Sequence, residues 1–228
     1  MNTSVTNTAR LLVAGLRALL VLTVVTGIAY PLLVTGIAQG LFPDRANGSE
    51  IEADGKVVGS SLIGQQYNLP LKDGQETPEP DLKWFQGRPA GGLGTNSVNT
   101  QYDLIVSGAT NRSADNAELV QWVKDAKAAV IEDNSVAGYT VNPSDVPADA
   151  VTSSGSGLDP HISPEYADLQ VHRVADRNGL PAERVQKLVD EHTVTRTLGF
   201  IGEPRVNVLE LNVALRELAA GTPSGPDH

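Results

Sequence analysis

Residues 152–164 read Thr-Ser-Ser-Gly-Ser-Gly-Leu-Asp-Pro-His-Ile-Ser-Pro, the densest gathering of chemically capable side chains in the sequence. Two glycines, five hydroxyls, Asp159 and His161 lead straight into a predicted helix. A helix start offers free N–H groups and the positive end of a dipole, so such a loop can hold an anion. Ser154, Gly155, Ser156, Gly157, Asp159, His161 and Ser163 are therefore the candidate cofactor-binding residues, with an anion as the ligand class. The competing reading is a rigid loop that caps the helix and offers a protein contact surface. Chemistry alone favours that second reading, because Asp159 would repel a phosphate. The Gly-Lys-Ser/Thr ending of a Walker A loop is also missing.

No other pattern reaches catalysis. His161, His172 and His192 stand apart without a two-histidine helical spacing, and His228 is terminal, so no metal site is predicted. There is no Gly-x-Ser-x-Gly elbow and no Asp-Lys-Thr-Gly sequence for an aspartyl-phosphate. Val136-Ala137-Gly138-Tyr139 has the look of a potassium filter, but a filter is a ring of carbonyls inside a pore. This copy lies beside Glu132 and Asp133 in a soluble stretch, so the likeness is coincidence. With no cysteine, a lipoprotein anchor and a disulfide framework are excluded. Nothing predicts an enzyme or a nucleic-acid binder.

The element that must position everything else is an uncharged run of 26 residues, 18–43, bounded by Arg17 and Asp44. As a helix it covers about 39 Å, enough for a hydrocarbon core of ~30 Å. The sequence divides accordingly into a cytoplasmic N-terminus at 1–10, a single transmembrane helix at 11–43 and a soluble domain at 44–228. Residues 1–17 hold Arg10 and Arg17 and no acid, and short basic flanks stay cytoplasmic. The net charge is −10, so residues 18–228 carry −12 and belong outside, on the far face of the plasma membrane. Ala38-Gln39-Gly40 resembles a signal cleavage site, but the apolar run exceeds the usual length of about 7–15 residues.

Thr23, Gly27, Pro31 and Thr35 recur every four residues along that helix, and Gly36 with Gly40 adds a second small pair. Small residues let helix backbones approach closely in lipid, so this face is predicted to pack against a partner helix. A single span builds no pore, and any transport role is shared with other chains. Tyr30-Pro31 predicts a local kink.

Outside the membrane, residues 51–67 read as short extended segments, 61–64 among them, and 68–81 as a proline-rich loop. Trp84 and Phe85 are two core anchors within a loop. Residues 103–106 suggest a buried strand. Asp115 and Glu118 form a capping-box pair ahead of a helix carrying Leu119, Val123, Ala126 and Val130 and ending near Asn134. Ser163 is a predicted N-cap with Pro164 at the first helical position, and Gly179 a stop. A further helix follows Pro181, with Val185, Leu188 and Val189 on one side. After a turn at Glu203-Pro204-Arg205, Val208, Leu211, Leu215 and Leu218 suit a C-terminal helix, with a frayed tail from Gly221. The mix predicts an α/β fold, with short strands and several helices, behind one N-terminal membrane helix.

Several long motifs together point to a family. They are Tyr30-Pro-Leu-Leu-Val-Thr-Gly-Ile-Ala-Gln39, Gly59-Ser-Ser-Leu-Ile-Gly-Gln65, Arg88-Pro89 and Val151 through Pro164. His192-Thr193 and Leu198-Gly-Phe-Ile-Gly-Glu-Pro-Arg-Val-Asn-Val-Leu-Glu-Leu-Asn212 complete the set. They closely resemble the C-subunit family of the Kdp potassium-transporting ATPase. Residues 107–114 and the longer stretch 92–103 depart from the family pattern. The resemblance implies a non-pumping, single-span subunit needed for assembly of the complex. Its implied partners are a channel-like potassium-binding subunit, a P-type ATPase subunit that hydrolyses ATP, a small single-span subunit and membrane lipid. It also implies a catalytic chaperone that raises the ATP affinity of the ATPase subunit, with no tightly bound cofactor of its own and ATP reached through the complex. With the domain outside, that effect is expected to reach cytoplasmic ATP indirectly, by coupling rather than contact; the alternative is direct nucleotide binding by the domain, which requires the opposite orientation. The acidic outer domain is expected to cap the mouth of the channel-like subunit. The alternative is a membrane-anchored extracytoplasmic binding module unrelated to transport.

Overall fold

The computed structural model describes residues 2–75, 77–89, 107–109 and 111–221. The predicted strand at 103–106, most of the divergent stretch and the tail beyond Gly221 lie outside the described residues. The chain divides into two units, Met1–Ser49 and Glu50–His228.

The first unit is helical. α1 (Asn2–Val24) runs through a π-turn (Val25–Ala29) into α2 (Tyr30–Leu41). Val5–Leu41 is long and apolar enough to cross a membrane. The wide turn has a definite cause. Pro31 lacks an N–H and its ring clashes with the carbonyl four residues back, so the ladder cannot continue in α-register there. Phe42 then leaves helical geometry at φ −141°, ψ 56°, and a single turn, α3 (Pro43–Ala46), closes the unit.

In the second unit, β1 (Glu50–Ala53) and β2 (Lys56–Ser60) form an antiparallel hairpin. Its two-residue turn, Asp54-Gly55, has positive φ at both positions (53° and 71°), the twist that tight hairpins favour. Ala53 and Val58 bury against Leu209. The expected extension at 61–64 is instead a turn, with the Ile63 N–H on the Ser60 carbonyl.

α4 (Ala117–Asn134) has the predicted span and end but a different cap. Asn116, not Asp115, accepts from the Leu119 N–H at 3.0 Å, while Asp115 takes the Ser113 hydroxyl and Glu118 pairs with Arg112. The cap therefore starts one residue later than the Asp115/Glu118 spacing suggests.

A short 3-10 turn (Ala148–Ala150) and β3 (His161–Ile162) precede α5 (Pro164–Asn178), which has the expected Ser163 cap and ends at Gly179, φ 62°. α6 (Ala182–Glu191), β4 (Thr193–Val194), β5 (Arg205–Asn207) and α7 (Val208–Ala220) complete the unit. Arg205, expected in a turn, opens β5. The sheet order is β3-β5-β4, all antiparallel. The fold is thus the expected α/β mixture of short strands and several helices.

One core joins these helices. Ala167, Val174, Val185, Val189, Val206, Leu211 and Leu215 are fully buried in it, and Phe85 and Tyr67 enter from the preceding loops. Trp84 and Phe85 are core anchors as expected. What holds their loop is a set of buried amides. Asn212 accepts from the Phe85 N–H and donates to its carbonyl, both at 2.9 Å. Gln170 does the same for Gln86 at 2.7 and 3.0 Å. Each side chain copies a strand partner, so the Phe85 and Gln86 backbone groups are paired although their loop has no ladder neighbours.

Candidate functional site: the glycine-serine loop and its latch

The residues 152–164 loop is fastened at both ends. At the front, Arg88 lies across it: Nε and Nη2 donate to the Thr152 and Ser153 carbonyls at 3.4 and 3.3 Å, and Nη1 stands 3.4 Å from Asp159. Asp159 Oδ1 accepts from the His161 N–H at 3.0 Å and lies 3.3 Å from His161 Nδ1. The His161 side-chain contact, with help from its N–H and the Arg88 charge, holds the Asp159 carboxyl below the usual carboxylate range. Partial burial works against this and is outweighed.

The loop interior turns its hydroxyls onto its own backbone. Ser154 Oγ accepts from the Gly157 N–H at 3.0 Å, and Ser156 Oγ accepts from the Leu158 N–H at 3.1 Å. Ser154 is buried and Gly155 exposed. Gly157 is required twice over. Its φ is 69°, and a Cβ there would stand 2.8 Å from the Gly108 carbonyl oxygen. The Gly108 N–H bonds the Ser156 carbonyl at 2.8 Å, so a piece of residues 107–109 lies directly on the loop.

At the rear, the helix start is already occupied by a carboxylate. Asp149 accepts from the Ser163 N–H at 2.7 Å and from its hydroxyl at 2.9 Å. Ser163 Oγ in turn accepts from the Tyr166 N–H at 3.1 Å. Pro164 has no N–H to offer. The place where an anion would settle is thus taken by Asp149 from the same chain. The seven candidate residues come together as one closed substructure, whose hydrogen-bonding groups are largely spent internally. In chemical terms it offers shape and a fixed Asp159–His161–Arg88 surface.

A second feature escaped the sequence. Arg173 is 1 % exposed and donates to the Asn134 side chain at 2.8 Å, to the Leu82 and Trp84 carbonyls and to Gln170 at 2.7 Å. Burial pulls its guanidinium down to about 10. It borders a pocket of about 230 Å³ with Tyr166, Arg88 and Asp133. The same burial raises the Asp133 carboxyl, against the pull of Arg173. An arginine in mid-helix reads as a surface residue. Only its place between Gln170 and Val174, on the stripe that α5 buries, hints otherwise.

On the apolar helix, Thr23 is the penultimate residue of α1, Gly27 lies within the π-turn, and Pro31 and Thr35 lie in α2. Four-residue steps across a wide turn cover less than a full revolution. The line of small residues is therefore offset at Gly27 instead of straight.

A family model described as K+-transporting ATPase, C chain (KdpC), matches residues 12–217, from the apolar helix through almost all of α7. The chain belongs to the KdpC family. A KdpC subunit of the potassium-transporting ATPase of Streptomyces coelicolor is 82 % identical over 220 residues, 96 % of this chain and 98 % of that protein. Its counterpart in Streptomyces avermitilis is also 82 % identical, covering 96 % and 99 %. The KdpC subunit of Gemmatimonas aurantiaca is 47 % identical over 215 residues, 92 % and 96 % of the two chains. On the KdpC frame, the motif at residues 198–212 spans two environments. Val206, Val208, Leu209 and Leu211 are buried, whereas Leu198, Phe200 and Ile201 are exposed at 79 %, 73 % and 52 % on a tip closed by a Thr197–Ile201 bridge.

Proposed function

We propose that this chain is the non-pumping, single-span accessory subunit of a potassium-importing ATPase, with hydrolysis carried by another subunit. The KdpC match over residues 12–217, which takes in both the apolar helix and the domain, carries this reading. The N-terminus stays in the cytoplasm and the domain from Glu50 onward stands outside, because Arg10 and Arg17 mark the retained side. The chain assembles with a channel-like potassium-binding subunit, a P-type ATPase subunit and a small single-span subunit, using the Thr23, Gly27, Pro31 and Thr35 region for helix packing. The acidic domain caps the outer mouth of the channel-like subunit, where net negative charge raises the local cation concentration.

Its effect on ATP affinity is indirect. The Asp149 carboxylate at the start of α5 and the internally bonded Ser154 and Ser156 speak for a contact loop rather than a phosphate cradle. Coupling between subunits changes nucleotide affinity without nucleotide contact, and the change is reciprocal. The test is high-affinity potassium uptake by cells carrying the chain without residues 45–228 but with its membrane helix. Loss of uptake is expected; unchanged uptake would remove the domain from transport.

A further inference from the structure

The π-turn and Pro31 together take away the helical donors of the Thr26 and Gly27 carbonyls, at the centre of the apolar helix. In a π-turn each N–H reaches five residues back. The Tyr30 N–H accordingly goes to the Val25 carbonyl, and Ala29 is committed to Val24 on the same pattern. The Thr26 carbonyl would be served by Tyr30 in an α-helix or by Pro31 in a continued π-helix. Tyr30 is engaged and proline has no N–H. Thr26's own hydroxyl is no help, since its one proton goes to the Leu22 carbonyl at 2.7 Å. An acceptor is thus stranded nine residues beyond Arg17, well inside the uncharged run.

In hydrocarbon no water satisfies such a group, and helices that carry proline survive because neighbours supply the missing bond. The site is also open. Gly27 follows directly, and a Cβ added there would meet nothing within 4 Å. A side chain from outside therefore has an unobstructed approach beside the carbonyl. A charged donor is costly at this depth, which leaves a hydroxyl or a carboxamide as the fitting chemistry.

We infer that a neutral hydrogen-bond donor, a hydroxyl or carboxamide on a membrane helix of another subunit of the ATPase, bonds the Thr26 carbonyl beside Gly27. This rests on the proposed single-span assembly and makes one of its contacts specific. The helix is not held by shape alone: Pro31 creates the acceptor, the π-turn presents it, and Gly27 leaves the opening.

The test reads the carbonyl itself. The chain contains two Thr–Gly pairs, Thr26-Gly27 and Thr35-Gly36. Carbonyl-13C threonine with 15N glycine thus gives two solid-state NMR correlations, and Gly36→Ala in the isolated chain assigns them. Spectra are taken of the full chain alone in bilayers and within the purified complex. The Thr26 carbonyl is expected downfield in the complex, as hydrogen bonding requires, and upfield in the isolated chain. Pro31→Ala, which restores an N–H, should move it downfield in both and erase the difference. An unchanged position between the two states overturns the inference, as does a carbonyl already downfield in the isolated chain, where water or the helix itself would be the donor. If the chain joins no ATPase subunits at all, the assembly reading fails first, before the carbonyl is measured.

Discussion

Leu19, Leu22 and Ile28 in the N-terminal helix are 62 %, 58 % and 53 % exposed, whereas Val174, Val185 and Leu215 in the domain are fully buried. The two units solve opposite problems. The domain supplies partners from within itself: Asn212 and Gln170 serve the Phe85 and Gln86 backbone, Asp149 fills the helix start, and Arg173 is satisfied by carbonyls and amides. The helix closes nothing. Its apolar surface needs lipid, and its Thr26 carbonyl needs a donor from elsewhere. Changes in the domain should therefore read out as stability of this chain, and changes in the helix as association with others.

The comparison breaks most severely at Arg173. Arg173→Met removes donors from two carbonyls and two amide side chains at once. A loss of about 3 kcal/mol or more is expected, because four buried neutral acceptors each lose a donor at about 1–3 kcal/mol for a group left unsatisfied. Thermal unfolding of the full chain in detergent measures it. An effect below about 1 kcal/mol would mean that the loop at 82–86 is not held as described. Next comes Leu215→Ala, where a fully buried leucine leaves a cavity; about 2–5 kcal/mol is expected by denaturant titration.

Gly27→Leu sharpens the contrast from the other side. It should leave the unfolding of the domain unchanged while weakening association with partner subunits by an amount on the order of 1 kcal/mol or more. Quantitative recovery from detergent extracts follows it. A shift in domain unfolding instead would erase the distinction between the units. Ser163→Ala removes both the α5 cap and the hydroxyl bond to Asp149, for a cost of about 1 kcal/mol.

The smallest effect is that of pH on Asp159. Its carboxyl is held below the ordinary aspartate value in the folded state, first by the His161 contact. Folding therefore gains from it above the unfolded pKa and loses that gain as pH falls through the folded one. Asp159→Asn should remove this acid-side contribution, about a few tenths of a kcal/mol for a group only partly buried, and so flatten the fall of the melting temperature at low pH. A slope unchanged by the substitution contradicts the assigned role.

What was legible in the sequence was local. Ser163, Pro164 and Gly179 announce α5 because caps act within one turn, and Val185 and Val189 announce α6 by their spacing. The one-residue slip at Asn116 belongs to the same scale, since Asp115 and Asn116 are both good caps and only geometry chooses between them. The buried amides were invisible because their partners lie far off in sequence: Asn212 and Phe85 are 127 residues apart. The residues 152–164 loop stands out in the sequence by composition alone, whereas its pairing with Arg88 and Asp149 depends on tertiary contacts. Pro31 predicts a kink, and the sequence carries no sign that the helix responds with a π-turn.

The most direct measurement is native co-purification of the full chain from potassium-starved cells, with identification of everything that accompanies it. Recovery together with a P-type ATPase and a channel-like subunit is the predicted result. Recovery of the chain alone, stably folded, would contradict the account.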